Sequence, residues 1–237
     1  MTEFLLNICH LDAYYGKSHI LQGINLQVHY GELVVVVGRN GMGKTTLLRS
    51  VLGLSPVQRR GEIVFNGLET VKKLTHEIAS LGVGYVPQGR LLFPSLTVDE
   101  HMQFVCRNKK KESRWTPEEV YNLFPELRQR ARVSGGRLSG GEQQMLAIGR
   151  ALVTNPLLLM MDEPSEGLAQ IVIKRVEQVC RHLVSEGMAI LLVEQNLEMA
   201  QGLADRAFIF YNGRIAYEAP GDTFRREREK VGSYLGI

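Results

Sequence analysis

A chain of 237 residues with 44% hydrophobic and 22% charged side chains has the composition of an ordinary globular protein, which excludes intrinsic disorder, collagen and a coiled coil. Its formal charge of +3, from 28 Lys and Arg against 25 Asp and Glu, is too small to imply a nucleic-acid partner by electrostatics. At this length a full core can form without disulfides or structural metals.

Three widely spaced cysteines, Cys9, Cys106 and Cys180, show no ligand spacing; they read as buried thiols in a reducing compartment, with no zinc site expected. The N-terminus carries Glu3 and lacks a cationic, apolar leader, so the chain is expected to stay in the cytosol. The longest apolar stretches, such as 33–37 and 157–161, are five residues, far below the roughly 18–20 that a membrane helix needs. Any membrane crossing is expected from another chain.

Short β-rich segments come first, at 4–11, 20–28 and 32–38. The unbroken valines of the third suit a strand covered on both faces, at the centre of a sheet. It runs into a glycine-rich turn and a helix from Lys44 to Leu54, and strand-then-helix recurs at 157–162 and 189–194. The fold class is therefore α/β with a mostly parallel sheet. Between about 89 and 156 strand signals give way to helical segments at 97–107, 116–124 and 140–153, which reads as a helical insertion. An Asn-Gly pair between β-rich runs at 208–219 predicts a hairpin, and the tail is helical. The charge runs 109–111 and 225–230 read as solvated surface.

Three motifs carry chemistry. Gly38-Arg39-Asn40-Gly41-Met42-Gly43-Lys44-Thr45, followed by Thr46, fits the phosphate-binding loop G-x-x-x-x-G-K-[ST] between a strand and a helix. Such glycines let backbone N–H groups turn onto phosphates, the helix N-terminus adds positive potential, Lys44 neutralises charge, and the Thr45 hydroxyl can ligate Mg²⁺. The apolar segment 157–161 delivers Asp162 and Glu163 at a strand C-terminus, where α/β sheets bind ligands. Asp162 suits a Mg²⁺ site. Glu163, turning at the strand end, suits polarisation of an attacking water. Third, Leu138-Ser139-Gly140-Gly141-Glu142-Gln143 opens a helix, where a serine and two glycines form an anion site.

The last motif resembles the LSGGQ signature of ATP-binding cassette (ABC) ATPases, and the resemblance covers essentially the whole chain. It implies a P-loop NTPase (RecA-like) ABC nucleotide-binding domain, with a small N-terminal antiparallel β subdomain and an inserted helical subdomain. The single domain 1–237 would divide into a core of 1–88 and 157–237 and a helical part of 89–156. By the same resemblance Tyr15, with Tyr14 as rival, is the aromatic that stacks on adenine. Gln88 in Val86-Pro87-Gln88-Gly89-Arg90 resembles the Q-loop glutamine that contacts Mg²⁺ and water. The signature residues Ser139, Gly140 and Gly141 would bind the γ-phosphate held by a partner subunit.

Two places depart from the common pattern. Gln195 in Leu192-Val193-Glu194-Gln195-Asn196 stands where most ABC ATPases have a switch histidine; it can donate to a γ-phosphate but carries no titrating charge. Ala169 stands where the D-loop usually has aspartate. These segments, Ser165-Glu166-Gly167-Leu168-Ala169 included, with the end near Tyr234-Leu235-Gly236, resemble ATP-binding subunits of branched-chain amino acid importers. Urea-importer subunits are the near alternative, and a soluble ABC protein of repair or translation is disfavoured by the absence of a heptad insertion or a second cassette. The resemblance implies ATP and Mg²⁺ as cofactors. It further implies a second, homologous ATPase chain as heterodimer partner, membrane-spanning permease subunits, indirectly a periplasmic solute-binding protein, and a place on the cytoplasmic face of the inner membrane.

Overall fold

The computed structural model describes residues 4–106 and 113–235, so the expected charge run 109–111, Arg107 and Gly236 lie outside the described residues. β1 (Leu6–Tyr15) and β2 (Ser18–Val28) form an antiparallel pair longer than the sequence indicated. β3 (Leu33–Val37) is buried at every position. It leads through the glycine-rich turn into α1 (Lys44–Leu52), which stops two residues short of expectation because Gly53, at φ 65°, caps it by bonding back to the Arg49 and Ser50 carbonyls.

The next stretch was not legible in advance: β4 (Gln58–Phe65), β5 (Leu68–Glu69), α2 (Thr75–Ser80) and β6 (Val83–Val86). β4 opens with polar, mostly exposed residues and buries only Ile63 and Phe65, and β6 is four residues long with a central glycine. Neither shows a strand period. The helical run follows, with α3 (Val98–Cys106), α4 (Pro117–Leu123), α5 (Pro125–Gln129) and α6 (Gly140–Leu152). Pro125, at the first turn of α5, begins a new helix where one had been expected to end at Phe124. The chain then re-enters the sheet through β7 (Leu158–Asp162), α7 (Gln170–Ser185), β8 (Ala189–Glu194) and α8 (Leu197–Leu203). The hairpin of β9 (Arg206–Tyr211) and β10 (Arg214–Pro220) turns at Asn212 and Gly213, with φ 47° and 73°, as its Asn-Gly pair dictates. Helices α9 (Gly221–Arg226) and α10 (Arg228–Leu235) finish the fold, and of 225–230 all but the half-buried Glu227 are exposed.

The strands form two sheets. One is antiparallel, in the order β2-β1-β4-β5; the other runs β10-β9-β3-β8-β7-β6 and is parallel except for β10. Alternation along β3 separates two cores. Val34 and Val36 face α1 and the antiparallel sheet, packing with Leu47, Leu48, Ile8 and Phe65, whereas Val35 and Val37 join the core shared with α3–α10. β3 thus lies between β8 and β9, and the C-terminal ends of β3, β7 and β8 open toward the same side of the sheet.

Only one cysteine is buried as expected. Cys180 sits inside the α7 core, where burial pushes its thiol up to about 12, whereas Cys9 and Cys106 are half-buried. Cys9 alternates with the inward Ile8 and precedes a register shift of β1, and Cys106 ends α3. Among the described residues no helix is long and apolar enough to cross a membrane.

Candidate active site

The turn from β3 to α1 is shaped by Gly43, which takes φ 101° at the N-cap of α1; a Cβ there would stand 2.8 Å from Leu21 Cδ2. No L-residue suits that backbone. The turn wraps Lys44, whose Nζ donates to the carbonyls of Gly38 (2.7 Å) and Arg39 (3.1 Å) and pairs with Glu163 Oε1 at 2.8 Å. Both charged side chains are under a tenth exposed. One residue on, the Thr45 hydroxyl donates to Asp162 Oδ1 (3.1 Å), while Tyr85 on β6 donates to Asp162 Oδ2 (3.3 Å). Burial holds the Asp162 carboxyl above its ordinary range, with the Thr45 hydrogen bond opposing that rise. Burial, then the Asp162 charge, raises the Tyr85 phenol.

Asp162 and Glu163 are adjacent, yet both reach the same turn. Asp162 is the last residue of β7 and bonds to Thr45 and Tyr85; Glu163 leaves it at φ 49°, in the left-handed region, with its N–H bonded to Val193 O (2.9 Å). That sparsely populated backbone swings the second carboxylate onto Lys44.

A cavity of about 340 Å³ lies over this constellation. It is lined by Tyr15 and Ile20, by Asn40, Gly41 and Gly43 to Thr46 of the glycine-rich turn and α1, and by Gln88 and Glu163. Between the two rival tyrosines, Tyr15 lines the cavity, while Tyr14 stacks on His19 with centroids 4.3 Å apart and lies under the Arg60 guanidinium at 5.5 Å. Gln88 donates to Glu166 Oε2 (3.1 Å). Gly38 does not line the cavity and contributes its carbonyl to Lys44.

Other expected residues stand away from this cavity. Ser139 caps α6: its Oγ accepts from Glu142 N (3.3 Å), and its own N–H donates to Glu142 Oε2 (2.7 Å). Ser139, Gly140 and Gly141 do not line the cavity, and Ser139 is exposed. Gln195, just past β8, is also exposed and outside the lining. Sequence reasoning missed Tyr85, Arg90 and Glu166. Arg90 donates to Gln143 Oε1 (3.3 Å) and to Glu166 O (3.4 Å), linking the Gln88 turn to α6 and to the loop after Glu163. Only their positions beside quoted motifs hinted at these roles.

The sequence profile described as ABC transporter matches residues 21–166. The chain belongs to the ABC transporter family. It is an ATP-hydrolysing cassette of that family, and it binds adenine nucleotide. Among its ABC relatives, the high-affinity branched-chain amino acid transport ATP-binding protein BraG of Pseudomonas aeruginosa is 40% identical over 98% of this chain and 100% of its own length. The probable branched-chain amino acid transport ATP-binding protein LivF of Archaeoglobus fulgidus is 36% identical over 98% of this chain and 99% of its own. A solved ATP-binding subunit of an ABC transporter superposes with a TM-score of 0.84 at 25% identity, covering 98% of this chain and 100% of that one. An ABC cassette solved in its ADP conformation gives 0.83 at 25% identity, covering 100% of both.

Proposed function

We propose that this cassette energises uptake of branched-chain amino acids through an ABC importer, pairing with a second homologous ATPase chain at the cytoplasmic face of the membrane. The observation that carries the chemistry is the buried contact of Lys44 with Glu163 beside that of Thr45 with Asp162, with Lys44, Thr45 and Glu163 all lining one cavity. The substrate class comes from the two near-full-length relatives named for branched-chain amino acid transport, and they do not favour the urea alternative.

In this reading Tyr15 stacks on the adenine, and the amides of Asn40, Gly41 and Gly43 with the α1 N-terminus cradle the phosphates. Lys44, Thr45 and Thr46 add charge and hydrogen bonds. Glu163 accepts the proton of the attacking water, Gln88 orients that water, and Gln195 donates to the γ-phosphate. The donor set also fits Mg²⁺. Thr45 Oγ1 and Asp162 Oδ1 are hard oxygens 3.1 Å apart, with Gln88 on the same cavity, and no group of three or more His, Cys, Asp or Glu able to hold a metal occurs among the described residues. So few protein ligands leave positions for water and phosphate, as Mg²⁺ prefers. When bound, the ion neutralises phosphate charge.

The signature residues Ser139, Gly140 and Gly141 serve the partner's nucleotide. Permease subunits rest near the Gln88 turn, where Leu91, Phe93 and Phe104 are 66%, 50% and 62% exposed. The test is uptake by vesicles holding the chain with its permease, partner ATPase and solute-binding protein. ATP-dependent accumulation of leucine, unmatched by urea or glutamate, is expected; accumulation of either of those without leucine would overturn the substrate assignment.

A further inference from the structure

We infer that Glu194, at the end of β8, is a positioning residue that fixes the Glu163 turn and the Gln195 loop in one geometry. Its carboxylate is 1% exposed and accepts four hydrogen bonds, all from uncharged donors. Oε1 takes the Ser165 N–H (3.0 Å), and Oε2 takes the Ser165 hydroxyl (2.9 Å) and the N–H groups of Gln195 and Asn196 (both 3.1 Å). One side chain thus ties the segment after β7 to the segment after β8, although Ser165 and Glu194 are 29 positions apart.

The tie falls where the backbone most needs one. Glu163 holds φ 49°, a conformation that a non-glycine residue keeps only when its surroundings over-determine it. Its own N–H is anchored on Val193 O (2.9 Å), and two residues later Ser165 is anchored on the Glu194 carboxylate. The strained residue is clamped on both sides to consecutive positions of β8. On the other side of the clamp, Oε2 gathers the amides that begin the Gln195 loop, and Asn196 then caps α8 by accepting from Met199 N–H (3.1 Å). Burial raises the Glu194 carboxyl, so a charged acceptor here is costly, and four donors offset that cost.

The inference rests on the reading of Glu163 as base and Gln195 as phosphate donor. Its test is Glu194→Gln in the full-length chain, which preserves size but turns an amide NH₂ toward groups that themselves donate. Three readouts are compared with the parent: hydrogen exchange at the amides of Ser165, Gln195 and Asn196, affinity for Mg·ATP, and kcat for ATP hydrolysis with the partner ATPase. Exchange is expected to quicken at all three amides while affinity stays within about twofold, and kcat to fall about 10- to 100-fold, as for a small misplacement of reacting groups. Ser165→Ala, which deletes one of the four bonds, should shift the same readouts less. Adding Glu194→Gln to Gln195→Ala should cost less than adding it to the parent, because the two act on one loop. Parent-level kcat, or affinity lost in step with kcat, would overturn the inference; if Glu194→Gln does not fold, Ser165→Ala decides by the same measures. Hydrolysis at the parent rate by Glu163→Gln would instead sink the reading beneath it.

Discussion

Lys44 is drawn in three directions, toward two carbonyls and Glu163, with its side chain only 3% exposed. Removing one member of such a pair leaves an uncompensated buried charge, so Lys44→Ala should lower stability by about 3–5 kcal/mol as well as abolish ATP binding. Lys44→Ala with Glu163→Gln should recover much of the stability and none of the binding. Urea unfolding checks this, and equal losses in single and double variants would show that the pair is not what couples the two residues. Asp162 adds a pH dependence, because burial raises its carboxyl above the ordinary range and the Thr45 hydrogen bond only partly opposes that rise. A carboxylate harder to ionise folded than unfolded costs stability once ionised: the cost is absent below the unfolded value of about 4, grows as pH rises, and is complete above the folded value. Asp162→Asn keeps an acceptor for Thr45 and removes that charge. Thermal unfolding should show the variant more stable than the parent at pH 8, with the gap closing as the pH falls toward the unfolded value of about 4; a gap independent of pH would rule out this account of Asp162.

At the scale of elements, the β9–β10 hairpin is a buttress for the phosphate loop. Gly213 N–H donates to Met42 O (3.1 Å) and its carbonyl accepts from Gln22 N–H (2.9 Å), so the turn is wedged between the loop and β2. A Cβ on Gly213 would stand 1.9 Å from Ile20 O, and Ile20 lines the cavity. Gly213→Ala should therefore cost more than the ~1–2 kcal/mol of left-handed strain alone and weaken ATP binding too. Calorimetric unfolding with nucleotide titration reads both, and a loss of stability with parent-level affinity would detach the hairpin from the site. The hairpin, the β3-to-α1 turn and the start of α6 were legible in the sequence because each is set by local chemistry: Asn-Gly, a glycine-rich loop before Lys-Thr, and Ser-Gly-Gly-Glu. β4 and β6 were not, since their residues are chosen by neighbours distant in sequence, β1 for one and β7 for the other. Tyr85, Arg90 and Glu194 were opaque for the same reason. Each matters through a partner that only the strand order brings near.

On the scale of the whole molecule, one phosphate loop and one signature lie in each chain, and Ser139 is exposed on α6 without lining the cavity above Lys44. On the proposed reading the site needs both and takes the second from another chain, so that ATP itself would be the bond between two cassettes. Glu163→Gln keeps the size and hydrogen bonding of the side chain but removes its proton acceptor, slowing hydrolysis by about 10²- to 10⁴-fold while leaving binding intact. The slow variant should then accumulate the closed pair that the parent passes through briefly. Gel filtration of Glu163→Gln mixed with its cognate ATPase partner is the direct measurement: a dimer in saturating Mg·ATP that reverts to monomers in ADP is expected, and monomers in ATP, or hydrolysis near the parent rate, would contradict both the base assignment and the ATP-sandwich mechanism.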